Sequence, residues 1–150
     1  MVGMVNAQNA LNEPNAHNEQ WLGGSWVATI KRFEDLECWQ EARKLVKMIY
    51  EAINGNSEFQ KDFRLVGQFT AAGVSVMNNI AEGWASQSNA EFIRFLKYSR
   101  RSVAECQNCS YVALDQKYIA NNTFEAIYNQ ALKTIKIIDG LLRYLRSQRS

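Results

Sequence analysis

From residue 36 onward, apolar residues recur at intervals of three and four, the period of one helix face. Leu36, Trp39, Ala42, Val46, Ile49 and Ile53 form the first stripe. Asp35 stands where an N-cap is expected, and Asn54-Gly55-Asn56 closes the segment, with Gly55 free to take positive φ. Ser57-Glu58-Phe59-Gln60 has the form of a capping box and opens the second stripe. That stripe runs Phe59, Phe63, Val66, Phe69, Gly73, Val76 and Ile80, with Gly83 as the stop. Ser88-Asn89-Ala90-Glu91 opens the third, which runs Phe92, Leu96, Ser99, Val103, Cys106, Ser110 and Ala113 and ends near Lys117 to Ile119. Much of this face is small, so a neighbour can approach closely. Asn122-Thr123-Phe124-Glu125 opens the fourth, where Phe124, Tyr128, Ala131, Ile135, Ile138, Leu142 and Leu145 follow a heptad. Gly140 weakens this helix by about 1 kcal/mol relative to Ala. Arg143, Arg146 and Arg149 near its end suit the helix dipole.

The pattern therefore predicts helices over about 36–53, 58–83, 89–118 and 123–147. Short connections make consecutive helices antiparallel, so residues 33–150 read as an all-α, up-down-up-down four-helix bundle. Residues 1–32 fall outside the pattern. They are rich in Asn, Gln and Ala and contain Gly23-Gly24. They are expected to form a flexible N-terminal extension, or an arm that orders on a partner. Trp21 and Trp26 read either as anchors for a neighbouring subunit or as part of an extended start.

Composition sharpens this picture. The chain has 150 residues, 47% of them hydrophobic and 21% charged, which suits one globular domain. The one proline, Pro14, and the one histidine, His17, both precede the helical region, which so lacks helix breakers and imidazoles. Three cysteines, Cys38, Cys106 and Cys109, make no disulfide framework and fit reduced thiols in a cytoplasmic protein. The N-terminus has no signal-peptide pattern, and no stretch is long and apolar enough to span a membrane.

Charge adds an asymmetry to the net +2. Residues 91–150 hold 10 basic and 5 acidic groups, whereas residues 31–90 hold 7 and 8. Arg94, Lys97 and Arg101 share a stripe opposite the apolar face of the third helix, flanked by Arg100. Lys133, Lys136 and Arg143 share a polar face of the fourth. These cations read either as an ordinary solvated face or as a surface for RNA or another polyanion. Arg101 is also spaced to pair with Glu105. No aromatic-interleaved basic motif of the RRM type appears.

Catalytic and cofactor signatures do not accumulate. Cys106-x-x-Cys109 lies mid-helix, away from the N-terminal dipole that would lower a thiol pKa, and reads as packing. Zinc would need four ligands, with only Cys38 and His17 left to complete the pair. Phosphate-cradling glycine loops and the E-x-x-H motif of di-iron bundles are missing. The carboxylate pairs Glu37/Glu41 and Glu58/Asp62 sit near helix starts, where acids suit the dipole. The chain is expected to be no enzyme and to take no metal, cofactor or small-molecule substrate. Asn79 and Glu82, one turn apart, are expected to organise the corner between the second and third helices by hydrogen bonds.

The segment around them carries a resemblance. Phe33-Glu34-Asp35-Leu36 with Trp39-Gln40, and Asn79-Ile80-Ala81-Glu82-Gly83, resemble the F-x-D-L-x-x-W-Q and N-I-A-E-G motifs of the four-helix bundle proteins encoded in 23S rRNA intervening sequences. Gln68, Ala72 and Ser75 fall where that family has Q, A and S; Glu91-Phe92, Phe95-Leu96, Arg100, Ser102 and Glu105 match its later positions. The similarity covers about residues 33–145. It implies a four-helix bundle without enzymatic activity that forms a homo-oligomer, with a pentameric ring expected. It also implies RNA or ribosome association, from the family's gene context, and the similar accessory proteins of diversity-generating retroelements bind nucleic acid. A scaffold that binds only protein is the alternative. The chain departs from the family at Thr70, Ala71, Ser86 and Gln87, where Arg is frequent, at Met77, a frequent Pro, and at Arg101, a frequent Gly. Basic charge is thus removed from the second helix and its following corner.

Overall fold

The computed structural model describes residues 30–148 and the backbone of Trp21–Leu22 and Ser25–Trp26. Those two dipeptides, β1 and β2, pair antiparallel, Trp21 opposite Trp26. The side chains of Trp21 and Trp26, and the expected flexibility of the rest of residues 1–29, lie outside the described residues. The core begins at Ile30, which is buried, three residues before the expected boundary at 33. A 3₁₀ turn, Phe33–Asp35, follows. Then come α1 (Glu37–Asn54), α2 (Ser57–Lys61), α3 (Phe63–Ala85), α4 (Asn89–Asp115) and α5 (Asn121–Ser147).

The four long helices close a ring in which α1 packs on α3 and α5, and α4 packs on the same two. Consecutive helices run antiparallel: Ser75 of α3 meets Ser102 of α4, while Gly83 meets Phe92. On α4 and α5, Arg100 meets Asp139 and Tyr111 meets Tyr128. The all-α, up-down-up-down bundle is thus present. The third stripe is buried at every expected position, Phe92, Leu96, Ser99, Val103, Cys106, Ser110 and Ala113. Its small residues do bring α3 close: Ser99 Oγ donates to the Val76 carbonyl at 2.9 Å.

The second stripe is corrected. It makes two helices, not one, because the backbone turns at Asp62 (φ −80°, ψ 74°). The Asp62 carboxylate accepts from Leu65 N at 3.0 Å and caps α3, and it also accepts from the Tyr118 hydroxyl at 3.1 Å. Phe59 on the short α2 is buried and stacks on Tyr118 (ring centroids 5.0 Å apart). The break shifts the helical phase, so Phe63, expected in the stripe, is 82% exposed. Gly83 is no stop: α3 runs on to Ala85, and Gly83 is a contact glycine inside it.

Caps differ as well. Asp35 does not cap α1; its carboxylate accepts from the backbone of Lys31 and Arg32 in the preceding turn. Gly55 has φ −79°, with no need of the left-handed region. Asn56, in place of Ser57, caps α2 by accepting from Phe59 N at 2.9 Å. Ser88 caps α4 as expected. Lys117 takes φ 61° and closes α4, with Tyr118 N bonded back to the Ala113 carbonyl. On α5 the buried heptad is Ile127, Ala131, Thr134, Ile138, Leu141 and Leu145. Phe124, Tyr128 and Ile135 sit on its flank, half-buried. Thr134 is accommodated because its hydroxyl donates to the Gln130 carbonyl at 2.8 Å.

Candidate nucleic-acid interface

A groove between α4 and α5 gathers five cations from its two walls. Lys97, Arg100 and Arg101 come from one wall and Arg143 and Arg146 from the other, around a groove of about 440 Å³ with Leu142 in its lining. Asp139 is the one carboxylate lining it. The cations converge because each helix repeats them every three or four residues on the side facing its neighbour. Arg100 Nε donates to Asp139 Oδ1 at 2.7 Å and its Nη2 to Oδ2 at 3.3 Å, a two-point clamp that also raises the Arg100 pKa, first through the hydrogen bond. Half-exposed, that pair contributes about 0.2–1 kcal/mol. Its more consequential effect is to hold one guanidinium upright at the groove wall.

The sequence-predicted cations divide. Lys97, Arg100, Arg101 and Arg143 meet in the groove; Arg94, Lys133 and Lys136 do not line it. Arg94 pairs with Glu91 at 2.6 Å and lies over the Phe95 ring, 5.2 Å from its centre. Lys133 reaches Glu41 at 3.5 Å on the opposite side of α5. Lys136 is exposed on α5. The expected Arg101–Glu105 pair is not formed among the described residues; the Arg101 guanidinium lies 5.6 Å from the Tyr98 ring centre instead. Arg146 was missed as a groove residue because it also fits the helix dipole. Its i+3 spacing from Arg143 is the signal that could have found it.

Glu41 is the polar hub of the other side. Its buried carboxylate accepts from Lys44 at 2.8 Å and from Gln130 at 2.7 Å, tying α1 to α5. Burial alone would push this carboxyl up, but the hydrogen bonds from Lys44 and Gln130 and the Lys133 charge outweigh it and hold the pKa below the ordinary value. Glu37, its neighbour one turn back, is pushed up by burial and then by the Glu41 charge. In the second carboxylate pair, Glu58 bonds Lys61 at 3.0 Å and Asp62 caps α3. All three thiols are free and buried, and burial pushes those of Cys38 and Cys106 up to about 12. Among the described residues no three His, Cys, Asp or Glu side chains gather to hold a metal, and no helix is long and apolar enough to cross a membrane.

The motif residues take structural places. Asn79 Nδ2 donates to the Ser75 carbonyl at 2.8 Å and to Ser75 Oγ at 3.0 Å, and Ser75 Oγ bonds Ser102 Oγ at 2.9 Å. This network joins α3 to α4 along their length, not at their corner, and Glu82, exposed, is outside it. Gly83 lies at a close approach of the two helices: a Cβ there would stand 2.6 Å from Phe92 Cδ2. Gln68 and Glu105 are exposed beside a second groove between α3 and α4 that Arg101 also lines. Glu91 is held by Arg94.

Fold and surface together define an antiparallel four-helix bundle whose most concentrated feature is a basic groove between its last two helices. Residues 34–140 match the family model of the 23S rRNA-intervening sequence protein, and the chain belongs to that family. A solved crystal structure, a protein with unknown function from the S23 ribosomal protein family of Bacteroides thetaiotaomicron VPI-5482, is similar over 71% of this chain and 95% of its own. The two share 22% identity with a TM-score of 0.64, a likeness of fold. No curated protein matches the chain.

Proposed function

We propose that the protein is a non-catalytic RNA-binding protein that holds a phosphate backbone in the α4–α5 groove. The observation that carries this reading is the convergence of Lys97, Arg100, Arg101, Arg143 and Arg146 on one groove with Asp139 as its only acid. Planar guanidinium groups present forked donors that match phosphate oxygens. The family's description, which names a 23S rRNA intervening sequence, accords with an RNA partner.

Self-association is part of the proposal. The outer face of α3 has no charged residue from Leu65 to Ala81 and exposes Gly67, Ala71 and Val74. Among the described residues a Cβ on Gly67 would meet nothing within 4 Å, so packing among them gives no reason for a glycine inside this helix. A second copy lying against this face would supply one, in a homo-oligomer for which the pentameric ring is the expected form.

The test of the groove is fluorescence anisotropy with a labelled RNA over a salt series. Log affinity should fall linearly with log salt, by about 0.7–0.9 per neutralised phosphate. Arg101→Glu combined with Arg143→Glu should weaken binding about tenfold or more and flatten that slope. Lys61→Glu, on α2, should leave both unchanged. Wild-type protein that binds no RNA, or a double variant that binds as well, overturns the reading in favour of a protein-only scaffold.

A further inference from the structure

The groove does not account for the aromatic surface beside it. Tyr98 is 38% exposed on α4, between two guanidinium groups: Arg94 lies 6.0 Å and Arg101 5.6 Å from its ring centre. Phe95 braces the ring edge-on, with centroids 6.2 Å apart and planes at 89°. Arg94 is itself fixed by Glu91. Tyr98 is thus partly exposed among cations, with two guanidinium groups over its ring and Phe95 at its edge, so a stacking ligand would take the place of one guanidinium. Arg101 belongs to both features, since it lines the groove and lies over Tyr98.

We infer that the nucleic acid held by this groove is single-stranded, with an unpaired base stacked on Tyr98 while its neighbouring phosphates lie on Arg101 and the groove. This rests on the phosphate-binding reading above and narrows it to one class of ligand. Stacking needs an exposed base face, which a single strand offers and a duplex keeps inside its own stack. A cationic track beside an aromatic ring is the combination by which single strands are held without sequence readout. Within the α4 stripe, Arg94 then acts on the base side, Lys97 and Arg100 on the phosphate side, and Arg101 at the join between them.

The experiment compares a labelled oligoadenylate with the same strand annealed to oligouridylate, by anisotropy at matched salt. Wild-type protein should bind the single strand more tightly. Tyr98→Ala should weaken single-strand binding by about five- to a hundredfold, the range of one lost base stack, with the salt slope unchanged. Tyr98→Phe should retain wild-type affinity, and neither change should alter duplex binding. Equal thermal melting of the three proteins shows that the fold is kept. Salt-dependent binding of both nucleic acids that ignores Tyr98→Ala, or stronger binding of the duplex, overturns this inference and leaves the groove reading intact. Wild-type protein that binds neither form overturns both.

Discussion

Glu41 shows how one residue can be misjudged from its letter alone. Its position on a helix start suggests a solvated acid favouring the dipole, yet it is 4% exposed, holds Lys44 of its own helix and joins α1 to α5 through Gln130 and Lys133. Because its folded pKa is depressed, its stabilisation is present above the unfolded carboxylate range and is lost as pH falls through the folded value. Glu41→Gln should therefore cost about 1–2 kcal/mol at neutral pH, with the variant converging on wild type as pH falls through the depressed folded pKa of Glu41. Urea unfolding at a series of pH values measures both. Sequence periodicity cannot find such a residue, because the lysine and glutamine that complete it are supplied by α5 and by the same helix's next turn.

Among the elements, α3 and α4 make the most extensive contact, and small residues set their distance. Ser75, Ser99, Ser102 and Gly83 all lie on this seam. At Gly83 an added methyl would meet Phe92 Cδ2 at 2.6 Å and Phe95 Cβ at 3.0 Å, and the second of these sits on the α4 backbone's own side-chain root and has little room to swing away. Gly83→Ala should lower stability by about 1–3 kcal/mol despite the better helix propensity of alanine, as read by thermal or urea unfolding. The small face of the third helix was legible as a close-approach surface. The role of Gly83 was not, since a glycine near a corner looks the same whether it ends a helix or admits a neighbour. The division of the second helix at Asp62 was hidden for a related reason. Phe59 and Phe63 fit one stripe by spacing, and only the bond from Tyr118 and the capping of Leu65 N select the break.

For the whole molecule, the basic groove and the uncharged outer face of α3 lie on different helices. The two surfaces still adjoin, because Arg101 of the basic groove and Ala71 of the α3 face both line the second groove, between α3 and α4. Val74, 38% exposed on that face, offers the cleanest test of self-association. Val74→Arg should convert an oligomer into a monomer in multi-angle light scattering at micromolar concentration, with the thermal melt of the chain itself little changed. An already monomeric wild type would reject the oligomer.

The amino-acid order alone is enough for the bundle: helical period and short connections are local properties, and the four long helices follow from them. It also determined that positive charge gathers in the last two helices. Tertiary structure alone decided which cations meet. Lys97, Arg100, Arg101, Arg143 and Arg146 share a groove, while Arg94 and Lys133 are drawn to Glu91 and Glu41. The physical reason is that charges interact over a few ångströms, and the rotation of α4 against α5 that sets those distances is fixed by the buried face, where a threonine and a glycine count as much as a leucine.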